Sequence, residues 1–109
     1  MKIHGIEVKG TNVDPETRCK HYSSEKDIIA IKFPCCQTYY PCFQCHKEGA
    51  DHPALAWKKE QWHEKAILCG KCGAELTIIE YMGCNARCPK CEASFNPGCR
   101  NHYHLYFEN

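Results

Sequence analysis

The sequence predicts a small α+β fold organised by bound metal more than by a large apolar core. Three observations point there. The chain has 109 residues but 11 cysteines and seven histidines. Twelve of these fall into six close pairs: Cys19/His21, Cys35/Cys36, Cys42/Cys45, His46/His52, Cys69/Cys72 and Cys88/Cys91. The apolar segments between them are short and scattered. Tetrahedral zinc takes four sulfur or nitrogen ligands, commonly as two short-range pairs that folding brings together. Six pairs suffice for three closed sites, so Zn2+ is the expected cofactor, with three ions per chain. A structural ion contributes on the order of 10–16 kcal/mol of apparent binding free energy, comparable to the whole stability of an ordinary domain.

The elements follow in order. Residues 1–18 read as a lead-in, because Gly5, Gly10, Asn12 and the Asp14-Pro15 turn signal interrupt any periodicity. Residues 27–33 are rich in β-branched side chains and predict a strand ending at Pro34. Cys42-Phe43-Gln44-Cys45-His46 predicts a knuckle followed by a turn of helix. Residues 19–56 thus form a cross-braced two-zinc module. Residues 57–65 are a connector, with a short helical turn expected near residue 54. Residues 66–109 form a zinc-ribbon-like β-hairpin module with a C-terminal tail. Its strands are expected at 66–68 and 75–82, and Tyr103, Leu105, Tyr106 and Phe107 at the end of the tail suggest a terminal strand.

Metal is favoured over disulfides. An odd cysteine count leaves a thiol over in any fully bridged scheme, and the Cys-x-x-Cys repeats come with histidines. The start, Met1-Lys2-Ile3-His4, opens no long apolar run, so no secretory signal is expected. No stretch of about 18 apolar residues exists to span a membrane. A reducing, cytoplasmic location is therefore the expectation. The formal charge is +1; three divalent ions and nine thiolates would bring it to −2. Such a molecule lacks the phosphate-neutralising term that dominates nucleic-acid affinity. The densest basic cluster, Lys58-Lys59, adjoins Glu60 and reads as a solvated face. A protein partner of unknown identity is expected, no nucleic acid or membrane; the oligomeric state is open.

The most specific signal is Cys69-x2-Cys72 with Cys88-x2-Cys91, the spacing of two zinc knuckles. Gly73 supplies backbone freedom to the first. The other eight ligands need a partition. Cys45 and His46 are adjacent, so their side chains should serve different ions. A crossed arrangement satisfies this: Cys19, His21, Cys42 and Cys45 at one site, and Cys35, Cys36, His46 and His52 at another. Cys35 and Cys36 share an ion only if the backbone turns, since neighbours in an extended chain face opposite ways; otherwise one belongs to the first site or to none. Each site has four protein ligands, whereas catalytic zinc usually keeps a position open. The metal is thus read as structural and the protein as no enzyme.

These residues resemble a known family. Cys19-Lys20-His21-Tyr22 is similar to the Cys-x-His-Tyr signature of the CHY zinc finger. The order Cys35-Cys36, Cys42-x2-Cys45-His46, His52, Cys69-x2-Cys72, Cys88-x2-Cys91 resembles that family over residues 19–91. The tail resembles its short stand-alone members. The resemblance implies three zinc ions in the partition above. Family members precede a RING in some ubiquitin ligases; after residue 91 this sequence leaves no room for one, so direct ligase activity is not expected. Another member is a small mitochondrial helper of the Tim import machinery linked to thiol oxidation, which implies an alternative role as a thiol-redox or zinc-transfer helper.

Cys84, Cys99, His4, His63, His102 and His104 remain outside the pattern. Cys84-x3-Cys88 is a workable ligand spacing, but a half-buried structural thiol is the plainer reading. Cys99, His102 and His104 suggest at most a weak fourth site. Trp57 and Trp62 either cover a small core or anchor a partner. Glu75 and Glu80 would be the bases of a hydrolase, by position alone.

Overall fold

In a computed structural model that describes residues 2–10, 12–96 and 103–108, the chain forms two antiparallel sheets and short helices. The larger sheet has four strands in the order β4-β3-β5-β6: β3 is Ile29–Phe33, β4 Thr38–Tyr40, β5 Lys65–Cys69 and β6 Glu75–Thr77. The central pair, β3 and β5, comes from the two halves of the sequence, with Ile29 opposite Cys69 and Ile31 opposite Ile67. One sheet thus joins both halves.

Both central strands are apolar at nearly every position, as strands covered on both faces are. Ile29, Ile31, Phe33, Ile67 and Cys69 face the main core, beside Trp57, Leu76, Ile78, Tyr81 and Phe95. Ala30, Leu68 and Tyr39 face the other side. There the N-terminal segment closes the sheet. Strands β1 (Lys2–Ile3) and β2 (Ile6–Glu7) form a tiny hairpin, turned by His4 and Gly5, both at positive φ. Positive φ at both central residues is the geometry of a type I′ turn. Ile3 and Val8 are fully buried against Ala30, Tyr39 and Leu68, each burial stabilising by roughly 1.5–3 kcal/mol. What reads as a lead-in is therefore a lid on the sheet.

Two expected strands turn out otherwise. The segment 75–82 is a strand only to Thr77; Ile78–Met82 is a helix, α2 in chain order. Thr77 accepts a hydrogen bond from the Glu80 N–H, and Glu80 accepts one in return from the Thr77 N–H. This reciprocal capping box starts the helix despite two β-branched isoleucines. The terminal segment is also helical: α3 spans Tyr103–Tyr106. It is followed by a parallel bridge from Phe107 to Trp57. The connector's helical turn lies at Lys59–Gln61 rather than at its start. Helix α1, Phe43–Gly49, begins inside the Cys42-x2-Cys45 knuckle.

Candidate metal centres

The Cys42 thiol accepts a hydrogen bond from the Cys45 N–H and so caps α1. Successive residues on a helix diverge by about 100°. Cys45 and His46 accordingly point into separate clusters. In the first, the Cys19 and Cys42 sulfurs are 3.7 Å apart, and His21 Nδ1 lies 3.7, 3.4 and 3.5 Å from the sulfurs of Cys19, Cys42 and Cys45. In the second, His46 Nε2 lies 3.4 Å from Cys35 Sγ and 3.8 Å from Cys36 Sγ. His52 completes it. In the third, Cys69 faces Cys91 and Cys72 faces Cys88, each pair 3.8 Å apart. In every cluster all four donor atoms lie within 4.8 Å of one another.

These spacings fit a metal. A tetrahedron with zinc bonds of about 2.3 Å to sulfur and about 2.0–2.1 Å to nitrogen has edges of about 3.8 Å between sulfurs and about 3.6 Å between sulfur and nitrogen. Disulfide sulfurs would lie about 2.05 Å apart, and all ten described cysteines are free thiols. A second observation concerns His52. Its Nε2 is buried without a hydrogen-bond partner, a costly state for a nitrogen that ligation would relieve.

Local structure explains how each donor arrives. Pro34–Gln37 turn between β3 and β4, with the Gln37 N–H bonded to the Phe33 carbonyl at 2.8 Å and Gln37 at φ 53. The turn is what lets neighbouring Cys35 and Cys36 face one cluster. His46 is fully buried, its ring stacked on Phe33 at 4.3 Å and edge-on to Tyr40 at 4.9 Å. Cys19 follows a tight segment in which Asp14 Oδ1 accepts the Glu16 and Arg18 N–H groups. Thr17, buried there, adopts φ 71, an outlier for a β-branched residue. This segment sits against the third cluster: a Cβ added to Gly70 would overlap the Glu16 carbonyl group.

The two knuckles of the third cluster share one hydrogen-bond pattern. Gly73 N–H donates to the Cys69 carbonyl and Cys69 N–H to the Ala74 carbonyl; Glu92 N–H donates to the Cys88 carbonyl and Cys88 N–H to that of Ala93. Gly73 and Glu92 occupy the same left-handed position, at φ 81 and φ 65. The His4 ring lies over Gly73 and its Nε2 is 3.1 Å from the Gly70 carbonyl oxygen.

In each cluster one thiol ionises more readily than usual. A hydrogen bond from the Cys42 thiol holds Cys19 down to about 5, while Cys42 is itself pushed up. Burial raises Cys35; it also opposes ionisation of Cys36, but the neighbouring His52 imidazole and Thr38 outweigh it. Burial raises Cys69, and Cys88 is lowered against its burial by the N–H groups of Cys91 and Lys90. A thiolate stabilised in this way is the form that binds metal.

The leftover residues have other work. Cys84 donates to the Tyr81 carbonyl at 3.0 Å. Cys99, His102 and the His104 side chain lie outside the described part. Trp57 is a core residue, 2% exposed, whose indole N–H donates to the Lys32 carbonyl. Glu75 accepts a hydrogen bond from the Tyr39 hydroxyl at 3.0 Å, and Glu80 closes the capping box of α2 on Thr77. Sequence reasoning missed His4, Glu48 and Asp51. The His4-Gly5 turn pair was a visible signal for the first; the spacing of the two carboxylates carried none.

Known proteins resemble this chain along nearly all of it. The family model for the CHY zinc finger matches residues 19–101. The chain is 45% identical over 105 residues to Helper of Tim protein 13 of Saccharomyces cerevisiae, covering 94% of this chain and 90% of that protein. It is 37% identical over 101 residues to Helper of Tim protein 13 of Kluyveromyces lactis, covering 93% and 88%. A Zinc finger protein BRUTUS-like of Arabidopsis thaliana is 29% identical over 76 residues, which are 70% of this chain but 5% of that protein.

Proposed function

The chain belongs to the CHY zinc finger family, and from that premise we propose that its three clusters hold three structural zinc ions in a module that binds other proteins and catalyses no reaction. One observation carries this: every cluster presents four protein donors within 4.8 Å of one another, enough to fill a tetrahedral zinc shell and leave no position for an activated water. The ions would tie β3, β4 and α1 to the Cys19 segment, and the end of β5 to the Cys88–Cys91 loop. The likeness to proteins named Helper of Tim puts Tim proteins first among candidate partners. Cytoplasmic residence, where thiols stay reduced, belongs to the same reading. Elemental analysis of the purified protein should give close to three zinc ions per chain. A value of one or none would overturn the reading. Pull-down from a cell extract with Tim proteins as named targets tests the partner, and fractionation tests the compartment.

A second reading, thiol-redox or zinc-transfer helper, is favoured by the exposure of Cys72 and Cys91 and by the shared cluster of vicinal Cys35 and Cys36. Oxidation of such thiolates would be coupled to loss of metal. Mild oxidant should then release zinc and leave a reversible disulfide; retention of all three ions at oxidant levels that consume ordinary reactive thiols would end it.

A further inference from the structure

The three histidines of the first two clusters are held in different ways. His21 turns Nδ1 toward the three sulfurs of its cluster, and its Nε2 lies 3.0 Å from Glu48 Oε2. His52 has the opposite arrangement: Nδ1 lies 3.0 Å from Asp51 Oδ1, and its buried Nε2 is the nitrogen without a hydrogen-bond partner. Among the described residues His46 bonds no carboxylate. It offers Nε2 to Cys35 and Cys36, while its Nδ1 is buried without a hydrogen bond and its ring is gripped by Phe33 and Tyr40.

A neutral imidazole carries its proton on one nitrogen and offers the other as a ligand. Free histidine exchanges between these forms, and a site must select one. A carboxylate selects by accepting the N–H of the form whose bare nitrogen faces the metal. It also makes that nitrogen a stronger donor. We propose that Glu48 and Asp51 are the positioning residues that set opposite tautomers in the two clusters, Nε2–H at His21 and Nδ1–H at His52, whereas His46 is set by ring packing. This rests on the three-ion reading above.

The placement concentrates control in one short stretch. Cys42, Cys45, His46, Glu48, Asp51 and His52 lie within eleven residues on and just beyond α1. That stretch supplies ligands to two clusters and a positioning carboxylate to each. The two carboxylates are unequal. Glu48 is 44% exposed and meets a His21 that is 16% exposed. Asp51 is fully exposed beside a His52 that is 32% exposed. Water screens the second pair more, so Glu48 should matter more than Asp51.

The test uses the full chain loaded with zinc, and separately with 113Cd. The first cluster offers three sulfurs and one nitrogen, the second two of each, and the third four sulfurs. Wild-type protein should therefore show three distinct 113Cd resonances. Fewer than three would break the three-ion reading itself and leave the tautomers to be judged on the zinc form. Long-range 15N spectra of the zinc form should report Nε2–H at His21 and Nδ1–H at His52. Glu48→Ala should move only the resonance of the first cluster and mix the His21 tautomers, and should weaken that site against a competing chelator by about 10–100-fold. Asp51→Ala should act in the same way on the second cluster with a smaller loss. Glu48→Gln, which keeps an acceptor, should restore most of the tautomer bias. If Glu48→Ala leaves the His21 tautomer and the affinity of the first cluster unchanged, or if the two histidines share one tautomer in wild type, the proposal is wrong.

Discussion

Cys-x-x-Cys occurs three times in this chain, and the two halves use it differently. In the ribbon half, Cys69–Cys72 and Cys88–Cys91 close into turns at a left-handed residue, Gly73 or Glu92, and each motif serves one cluster. In the two-cluster half, Cys42–Cys45 runs straight into α1, so the next residue, His46, is rotated into a second cluster. The surroundings differ as well. His46 lies buried among Phe33 and Tyr40, whereas Cys72 and Cys91 meet solvent. The same four-residue motif thus makes an independent clamp when the chain turns back and a shared strut when it continues as helix.

The largest expected effect follows from treating metal as the organiser of both halves. Complete zinc removal by a strong chelator should abolish near-UV dichroism, with the ribbon ion leaving first because two of its thiols, Cys72 and Cys91, are exposed. If native dichroism survives full removal, apolar packing alone holds the fold and the contrast between the halves loses its meaning.

Ligand substitutions separate strut from clamp. Cys72→Ser should cost one ion and leave the α1 half intact. His46→Ala should cost the second ion and weaken the first, since it also removes a buried ring that props α1; truncating a buried aromatic costs about 3–5 kcal/mol. Counting ions per chain decides this: a His46→Ala protein that keeps two tightly bound ions would show the clusters to be independent.

Gly70→Ala probes the seam between the halves. The new Cβ would meet the Glu16 backbone, and overpacking of this kind costs typically about 1–3 kcal/mol. The strain falls on the segment that carries Cys19, so a change in the ribbon half should lower metal affinity in the first cluster. Thermal unfolding and chelator titration, read together, would reveal a purely local effect if the first cluster is unmoved.

The smallest effect concerns the two knuckles. Glu92 occupies a left-handed position that costs a non-glycine residue about 1–2 kcal/mol, and glycine would return part of that in lost chain entropy. Glu92→Gly should therefore stabilise by up to about 1 kcal/mol, seen as a small rise in denaturation midpoint. Gly73→Ala, at the matching position, should destabilise by more than this, because the added Cβ also strikes the His4 ring.

Much of the candidate site was legible in the sequence. Donor residues at short spacing are forced into proximity by the chain itself, and the adjacency of Cys45 and His46 demands that they diverge. The fold brings donors into three groups of four within 4.8 Å, and it places Cys35 and Cys36 together, which spacing left open. The strand from Ile29 and the short strand before Cys69 were legible too, as runs of buried β-branched and aliphatic residues. Residues 78–82 do not read as helix, because Ile78, Ile79 and Tyr81 favour a strand by propensity; the Thr77–Glu80 box that overrides them is a weaker signal on the page than three apolar residues. The terminal segment hides its helix for a related reason. Four residues show little periodicity, and their conformation is decided by Trp57, whose N–H and carbonyl bond to Tyr106 and Glu108.

By itself, then, the sequence determined the ligand inventory, its short-range pairs and the all-thiol character of the last cluster, because these depend on residue type and on separations of a few residues. Only the tertiary structure decided that one sheet joins the halves, that residues 2–8 seal its second face, and that Glu48 meets His21 across 27 positions of chain. Contacts between distant residues depend on how elements pack, and no local pattern in this chain encodes that.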